Sequence, residues 1–531
     1  MTEPGPGTNG ETVMDKSESL ELSEAFQPPR FERNILTVAK GGGITFAGKL
    51  FLSASRFVIA VLLARLLGAE QYGLYNLAIS AGSVTAGLAL LGLDSALVRY
   101  VALSASRRDE AGLWGALQIG LGITTFLSVM MGTGLFALAY PIAEQVFHEP
   151  RLAPLLQLIS LIVPFLALSD VLAGATRGFK QMQYTVIAQS IAQPMIRLVL
   201  IVVLALVGLN AAWAVIVYGL ADCAASFILL YFLNKQFSLR RPLRTARRQP
   251  RAILSFSLPV WLSGLMTTFR SNVQTLLVGT LNSVTGVGIF AVANQITLVG
   301  AQFHASINTS ASPIIAELHD RGDREQMGRI YQTATRWALT VNFPVFLTMV
   351  LFPATILSIF GESFVGGATA LTILAWANLA NGGTGMGGII LDMTGYTRLK
   401  LVNSVIRLAL YLSLDVLLIP RWGIVGAATA ALVGEVIINL LRLLEVFILF
   451  RLLPYNRSFV KPIAAALTAL ASALVLGRWL PAEASPLYTA IHVLMIFAVY
   501  GGMTRLFGLP PEEHAMLAHL RRRATTILSR S

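Results

Sequence analysis

Apolar runs long enough to cross a lipid bilayer recur along almost the whole chain. A membrane-spanning helix needs about 20 predominantly apolar residues, and the polar stretches between the runs are short. The longest of these stretches on the side that carries few basic residues, 141–152, has about a dozen residues. The pattern predicts fourteen helical spans, at residues 40–67, 72–101, 111–140, 152–175, 184–208, 211–233, 252–281, 285–316, 331–352, 367–391, 399–420, 424–450, 461–480 and 486–507.

Composition agrees with this pattern. Hydrophobic residues make up 55% of the 531 residues, charged residues only 13%, and the mean hydropathy is +0.68. Soluble domains carry about 25% charged residues. We therefore expect an all-α integral membrane protein of about 14 transmembrane helices. The one cysteine, Cys223, excludes an intrachain disulfide.

The basic residues are distributed asymmetrically between the two sides. If the N-terminus is inside, 29 of the 40 Lys and Arg fall in inside segments and four in outside loops. Because basic residues mark the cytoplasmic side, this predicts a multi-pass protein of the inner (plasma) membrane with both termini cytoplasmic. The net charge of +13 then reflects topology, and no nucleic-acid partner is expected.

An internal repeat divides the chain. "GLYNLA" from Gly73 has a counterpart, "GIFAVA" from Gly288, at an offset of 215 residues, and the same offset aligns Gly208 with Gly423. Six spans separate the copies, which predicts two six-helix lobes related by a pseudo-twofold axis along the membrane normal. The predicted parts are a disordered cytoplasmic tail (1–33), an N-lobe (34–234), a basic cytoplasmic linker (235–251), a C-lobe (252–450), an appended helix pair (451–507) and a basic tail helix (508–531).

The basic linker has two interpretations. Its seven basic residues and lack of acidic ones fit a cytoplasmic segment that fixes topology. The alternative is a dedicated site for anionic lipid or a partner.

Two glycine-rich stretches imitate nucleotide-binding motifs. In Gly43 to Lys49 the pattern is one residue short of a phosphate-binding loop, and Leu50 replaces the Ser or Thr that would contact the metal. "GTGMGG" from Gly383 matches a dinucleotide fingerprint, but it lies inside a span and follows no strand. We expect no cofactor and no metal, because no His, Cys, Asp and Glu cluster has ligand spacing. No catalytic residues emerge either.

Charged residues inside spans are the candidate site, since each costs a few kcal/mol near the bilayer centre unless it is paired or hydrated. Lys49 and Arg56 lie seven residues apart, on one face of a helix. Arg270 occupies the repeat counterpart of that span, and His304 the following span. The three cations Lys49, Arg56 and Arg270 predict a cationic cavity that binds an anionic substrate, most simply a phosphate or diphosphate head group.

Each of these residues also has an interpretation in which it stabilises the fold and does not bind substrate. Lys49 can extend to the cytoplasmic surface, Arg56 can pair with Asp94, and His304 can be an interior histidine with satisfied hydrogen bonds. Arg197 and Arg407, in spans five and eleven, can form ion pairs within their lobes. Asp94 is also the candidate for proton or ion coupling.

Several stretches carry a family resemblance. "AGKLFLSASRFVIAVLLARLLGAEQYGLYNLA", "LGLDSALVRYVA", "SPIIAELHDRGD", "LDMTGYTRLKL" and "LIPRWGIVGAATAAL" resemble the polysaccharide-transporter branch of the multidrug/oligosaccharidyl-lipid/polysaccharide exporter superfamily. The resemblance extends over about residues 34–507. It implies a V-shaped molecule with a basic central cavity lined by spans one, two, seven and eight, which places Lys49, Arg56, Arg270 and His304 in that cavity. Many members carry an acid where this chain has Gln274.

The resemblance implies a flippase that exports a polyprenyl-diphosphate-linked oligosaccharide or polysaccharide repeat unit by alternating access. The implied partners are that anionic lipid-linked cargo, membrane lipids, a polysaccharide polymerase and glycosyltransferases. One alternative is a cation-coupled multidrug antiporter of the same superfamily, which would need acids in the cavity. The other is a membrane glycosyltransferase or ligase, which the short outside loops disfavour.

Overall fold

Helices account for almost all of the computed structural model, which describes residues 30–479 and 486–507. No β-strand occurs within these ranges, so the all-α class is confirmed. The predicted tails lie outside the described residues, apart from residues 30–33. Some side chains within the described helices and linker also lie outside the described part: those of 30–46, Leu243, Thr267, Phe269, Arg270, Ser271, Thr397 and Pro486.

Twelve helices form the two lobes, of which α11 is much the shortest, and two more helices are appended. The N-lobe contains α1 (Arg30–Leu90), α2 (Leu93–Ser106), α3 (Glu110–Ala137), α4 (Ala153–Gly178), α5 (Met182–Ala205) and α6 (Ala211–Gln236). The C-lobe contains α7 (Pro250–Leu281), α8 (Val284–Asp320), α9 (Arg324–Leu351), α10 (Ala368–Thr384), α11 (Gly387–Met393) and α12 (Thr397–Phe450). The appended pair is α13 (Val460–Trp479) and α14 (Pro486–Leu506).

Two of these helices are bent sharply at a glycine. Gly68 in α1 has φ 71°, and Gly423 in α12 has φ 55°, a backbone region that glycine adopts without a steric penalty. Each helix therefore consists of two limbs, and helices cover all fourteen predicted segments. By length and composition, ten helices of the described part qualify as membrane spans, so the number fourteen stays a prediction.

The apolar core is continuous at one end of the molecule and divided at the other. Near Gly68, one buried cluster joins residues of both lobes, such as Leu77 and Leu371. At the opposite end, where the linker connects α6 to α7, the buried residues form two clusters, one around Leu97, which includes Ile253 from the start of α7, and one around Ile315. The lobes therefore share one core at what we name the Gly68 end. Towards the linker end, the start of α7 packs on the N-lobe, whereas the cluster around Ile315 is a separate core of the C-lobe.

At the Gly68 end, α1 and α8 cross with their backbones in contact. A Cβ on Gly73 would lie 1.9 Å from the carbonyl oxygen of Val284, and one on Gly288 would lie 2.0 Å from the carbonyl oxygen of Ala69. Both pairs, Ala69 with Val284 and Gly73 with Gly288, have the repeat offset of 215 residues. The contact is therefore reciprocal between the two repeats.

A C-lobe segment between α9 and α10 completes the closure of this end. Arg65 Nε donates a hydrogen bond to the carbonyl oxygen of Ile359 (2.6 Å), and the Ala69 N–H donates to Ser363 Oγ (3.2 Å). The Phe57 and Phe360 rings meet edge to face at 5.6 Å. These contacts connect the bend of α1 directly to the C-lobe.

The basic linker is folded onto the N-lobe. Arg241 Nη1 pairs with Glu110 at 2.6 Å, and Arg247 pairs with Asp109. Trp114 Nε1 donates to the carbonyl oxygen of Pro242 at 3.1 Å. Part of the positive charge of the linker is therefore matched by acids at the start of α3.

Cysteine labelling tests the predicted orientation in a Cys223→Ala background. Arg244 in the linker and Arg421 at the Gly68 end are both exposed. In intact cells, a membrane-impermeant maleimide should label Arg421→Cys, whereas Arg244→Cys should react only after permeabilisation, because basic segments stay cytoplasmic. The opposite pattern would reverse the predicted topology.

Candidate functional site

A buried ion pair lies inside the N-lobe between α5 and α6. Arg197 Nη2 contacts Asp222 Oδ2 at 2.5 Å, with side-chain exposures of 16% and 7%. Gln193 Nε2 donates to the other carboxylate oxygen, also at 2.5 Å, and the Arg197 guanidinium lies 3.8 Å from the centre of the Tyr218 ring. For Arg197, the predicted ion pair within the lobe is therefore confirmed.

Arg56 faces this pair from the first limb of α1. That limb touches both lobes, since Gly48 packs on Val186 of α5 and Phe57 packs on Phe360 of the C-lobe. The Arg56 side chain is exposed and interacts electrostatically with Arg197 and Asp222. Within the described residues it makes no hydrogen bond or ion pair, so the alternative pairing with Asp94 is not found there. Arg56 is thus a cation at the interface of the lobes that is available to a ligand.

Asp94 belongs to a different group of charges. It is half-buried on α2 and interacts electrostatically with Asp170 of α4. Gln189 Nε2 donates to Asp170 Oδ1 at 3.4 Å. A coupling role for Asp94 stays a prediction.

The structure gives fewer contacts for Lys49 and Arg270, the other two cations predicted for this region. Lys49 is exposed, and its carbonyl oxygen accepts a hydrogen bond from Ser53 Oγ at 2.9 Å. Arg270 lies on α7, but its side chain is outside the described part. Their contact with a ligand stays a prediction.

Gln274 connects α7 to both limbs of α12. Its amide nitrogen donates to Asp415 Oδ1 and to the carbonyl oxygen of Ala427, each at 3.0 Å. Asp415 is thus held by a neutral amide rather than by an arginine. The network fixes α7 within the C-lobe.

The structure places His304 inside the C-lobe. The side chain is 9% exposed, and Nδ1 has no hydrogen-bond partner. It lines a cavity of about 280 Å³, the C-lobe chamber, together with Arg407 and Arg442. His304 is therefore interior, but it is not fully satisfied. Sequence reasoning missed Arg442, although two arginines within the adjacent spans eleven and twelve were a signal.

No group of three or more His, Cys, Asp and Glu residues that could hold a metal ion occurs in the described part of the chain. What the arrangement provides is an exposed cation between two lobes and a polar chamber in one of them. These features suit the binding of an anion.

Two family profiles match the sequence. The profile of the polysaccharide biosynthesis protein family matches residues 38–319, and that of the MatE family matches residues 259–417. Stage V sporulation protein B of Bacillus subtilis is 25% identical over 432 residues, covering 76% of this chain and 82% of that protein. A probable low-salt glycan biosynthesis flippase of Haloferax volcanii, Agl15, is 24% identical over 194 residues, covering 36% of this chain and 40% of that protein.

Solved structures share the fold. The lipid II flippase MurJ, in an inward closed conformation, superposes with a TM-score of 0.71 at 13% identity, covering 87% of this chain and 98% of that chain. At this identity the likeness concerns the fold alone. The first profile covers more than half of the chain, and the relatives that the chain resembles in sequence include a probable flippase. The chain therefore belongs to the polysaccharide biosynthesis protein family, in the polysaccharide-transporter branch of the multidrug/oligosaccharidyl-lipid/polysaccharide exporter superfamily.

Proposed function

We propose that this protein is a flippase that exports a polyprenyl-diphosphate-linked oligosaccharide across the inner membrane by alternating access. The observation that carries the proposal is Arg56, an exposed guanidinium on the limb of α1 that touches both lobes. Its planar fork suits phosphate oxygens. The head group binds between the lobes while the polyprenyl chain stays in lipid.

The arrangement of the lobes supports alternating access. They share one core at the Gly68 end, whereas at the linker end the buried residues form two cores, one of the N-lobe with the start of α7 and one of the C-lobe. With the predicted topology, this is a state closed to the outside. The cargo enters from the cytoplasmic leaflet, and reversal of the two closures releases it outside.

The membrane potential provides a driving force without ATP. An inside-negative potential favours outward movement of anions by about 2.3 kcal/mol per charge per 100 mV. A diphosphate that moves with its charge uncompensated gains roughly twice that amount. The proposal thus requires neither a nucleotide nor a metal site.

Reconstitution tests the proposed function. Proteoliposomes carry a polyprenyl-diphosphate-linked disaccharide with a fluorescent tag on the sugar, and dithionite added outside quenches only the outer-leaflet tag. With a flippase, the fraction quenched should rise from about half to nearly all within minutes. An imposed potential, negative on the side that corresponds to the cytoplasm, should accelerate outward flipping.

Empty liposomes and the same tag on a neutral polyprenyl alcohol are the controls. No gain in quenching over empty liposomes would contradict the proposal. Potential- or ion-driven uptake of a cationic dye in place of cargo flipping would indicate the alternative, a cation-coupled multidrug antiporter.

A further inference from the structure

The C-lobe chamber is walled by four helices and by a break in the helical backbone. His304 of α8 and Arg442 of α12 line it, as does the segment between α10 and α11. In that segment Gly385 has φ 72°, so the chain turns where a continuous helix would fill the space. A Cβ on Gly388 would lie 3.3 Å from the Arg442 Cζ atom. The glycine-rich stretch "GTGMGG" thus makes room for a guanidinium rather than for a dinucleotide.

Two arginines in the chamber wall lie within electrostatic reach of each other. Arg407 and Arg442 repel electrostatically, and both are half-buried. Neither makes a hydrogen bond or an ion pair with a residue of the described part, and Arg407 Nε is buried without any partner there. Two like charges held close in a weakly polar interior are unfavourable, so a negative charge bound between the two guanidinium groups would relieve their repulsion.

The nearby carboxylates are already engaged. Glu435 accepts hydrogen bonds from Tyr411 (3.0 Å) and Asn439 (3.4 Å). Asp392 pairs with Lys400 at 2.9 Å, and Glu445 accepts from Asn403 at 2.7 Å. These acids lower the net charge of the chamber, but none lies within ion-pair distance of either arginine.

Buried polar atoms point to a ligand in the same space. His304, 9% exposed, has no partner for Nδ1, and Asn403, 2% exposed, has none for Oδ1. Asn308 Oδ1 is also buried without a partner. All three residues line the chamber. An unpaired buried polar group costs about 1–3 kcal/mol, so the empty chamber holds several groups that a hydrogen-bonding ligand would satisfy.

We propose that the C-lobe chamber is a binding site for a phosphate-class oxyanion. The Arg407 and Arg442 guanidinium groups bind the oxygens as charged forks, and His304 donates to a further oxygen through Nδ1. The Asn308 and Asn403 Oδ1 atoms are acceptors, so they accept hydrogen bonds from a protonated oxygen of the anion or from a water bound with it. A volume of about 280 Å³ accommodates such an anion with several waters, each of which occupies about 30 Å³. Lys400, which is exposed, lines the chamber at the linker end. The binding itself is independent of the proposed flippase function, whereas a role in transport rests on it.

Thermal unfolding of the purified full-length protein tests the binding. Sodium phosphate and sodium pyrophosphate should raise the Tm, whereas sodium chloride at equal ionic strength should not. Arg407→Gln and Arg442→Gln should each weaken the apparent Kd at least about tenfold, the expected loss of one charged hydrogen-bonding partner. Without anion, both variants should be as stable as the wild type or more stable, because a like-charge repulsion is relieved.

Arg421→Gln, an exposed position on the same helix, is the matched control and should leave the apparent Kd unchanged. Loss of anion-induced stabilisation in Arg56→Gln but not in Arg407→Gln would overturn the proposal, because the anion would then bind between the lobes. An equal response of wild type and both chamber variants would overturn it as well.

Competition binding and flipping measurements show whether the bound phosphate group belongs to the lipid-linked cargo or is free inorganic phosphate. If the group belongs to the cargo, a short-chain polyprenyl diphosphate should displace inorganic phosphate, and Arg407→Gln should slow flipping. If it is free inorganic phosphate, the lipid should not compete and Arg407→Gln should flip at the wild-type rate. Either result supports the chamber, and since phosphate binding is measured without cargo, failure of the flippase proposal leaves this test intact.

Discussion

Arg56→Ala should reduce flipping about 10- to 100-fold while the protein is produced in near wild-type amount. Arg56 is exposed and makes no ion pair within the described residues, so its removal leaves no bonded partner behind. A charged hydrogen bond contributes about 1.5–3 kcal/mol, which corresponds to this range of rates. Arg56→Lys should retain part of the activity, because lysine keeps the charge but not the forked geometry.

The Arg197→Ala variant is the matched control for Arg56. Because Arg197 is paired with Asp222 at 2.5 Å in the lobe interior, its removal leaves a buried carboxylate without its cation. Breaking such a pair costs about 3–5 kcal/mol of stability. Arg197→Ala should therefore lower the amount of folded protein, and adding Asp222→Asn should restore part of it.

Protein amount and flipping, measured for each variant, separate the two roles. A ligand-binding Arg56 predicts lost flipping at normal amount. If Arg56→Ala instead lowers the amount, and Asp94→Asn or Asp222→Asn restores both amount and flipping, then Arg56 is structural and does not bind cargo.

Gly73→Ala should trap the protein with its Gly68 end open and reduce flipping by at least about tenfold. The added Cβ would lie 1.9 Å from the Val284 carbonyl oxygen, and backbone cannot move aside as a side chain can. Overpacking costs about 1–3 kcal/mol, enough to shift a two-state equilibrium roughly 5- to 150-fold. Gly288→Ala should act in the same way, since its Cβ would lie 2.0 Å from the Ala69 carbonyl oxygen.

Cysteine accessibility measures this opening. Ser80, two helical turns from Gly73, is 7% exposed, so Ser80→Cys in a Cys223→Ala background should react slowly with an impermeant maleimide added to intact cells. Gly73→Ala should accelerate the reaction. Gly134→Ala, at a glycine with no atom within 4 Å of its added Cβ, should change neither labelling nor flipping.

The double variant Gly73→Ala/Gly288→Ala gives a stricter test of the crossing. Once Gly73→Ala has separated the two backbones, Gly288→Ala should add little, because both changes act on one crossing. Fully additive effects on labelling, or unchanged labelling in either single variant, would show that the crossing does not control closure.

The sequence predicted the architecture well because span length and repeat spacing are local, one-dimensional signals. The offset that aligns Gly208 with Gly423 pairs two residues with positive φ, 111° and 55°. The bend at Gly68 was also anticipated, since a span boundary was expected there. Whether each predicted segment crosses the membrane depends on lipid contact, which helix bounds alone do not decide.

The candidate site was harder to predict because it depends on which helix faces point at each other. An ion pair of Arg197 within its lobe was among the expected alternatives, but the sequence did not show that Arg56 interacts with that pair and that Asp94 interacts with Asp170. His304 was expected beside Arg56, whereas it faces Arg442 inside the C-lobe. Sequence periodicity shows which residues share one face of a helix. Which other helix that face contacts is known only from the packed structure.

The reciprocal crossing at Gly73 and Gly288 has the geometry of an isologous dimer interface contained in one polypeptide. In a homodimer of six-helix halves, a change at this position would alter both sides of the contact at once. Fusion of the halves removes that constraint, so each side can change separately. The two lobes meet in this reciprocal geometry but differ in their interiors, one with a neutralised Arg197–Asp222 pair and the other with two arginines that line a chamber.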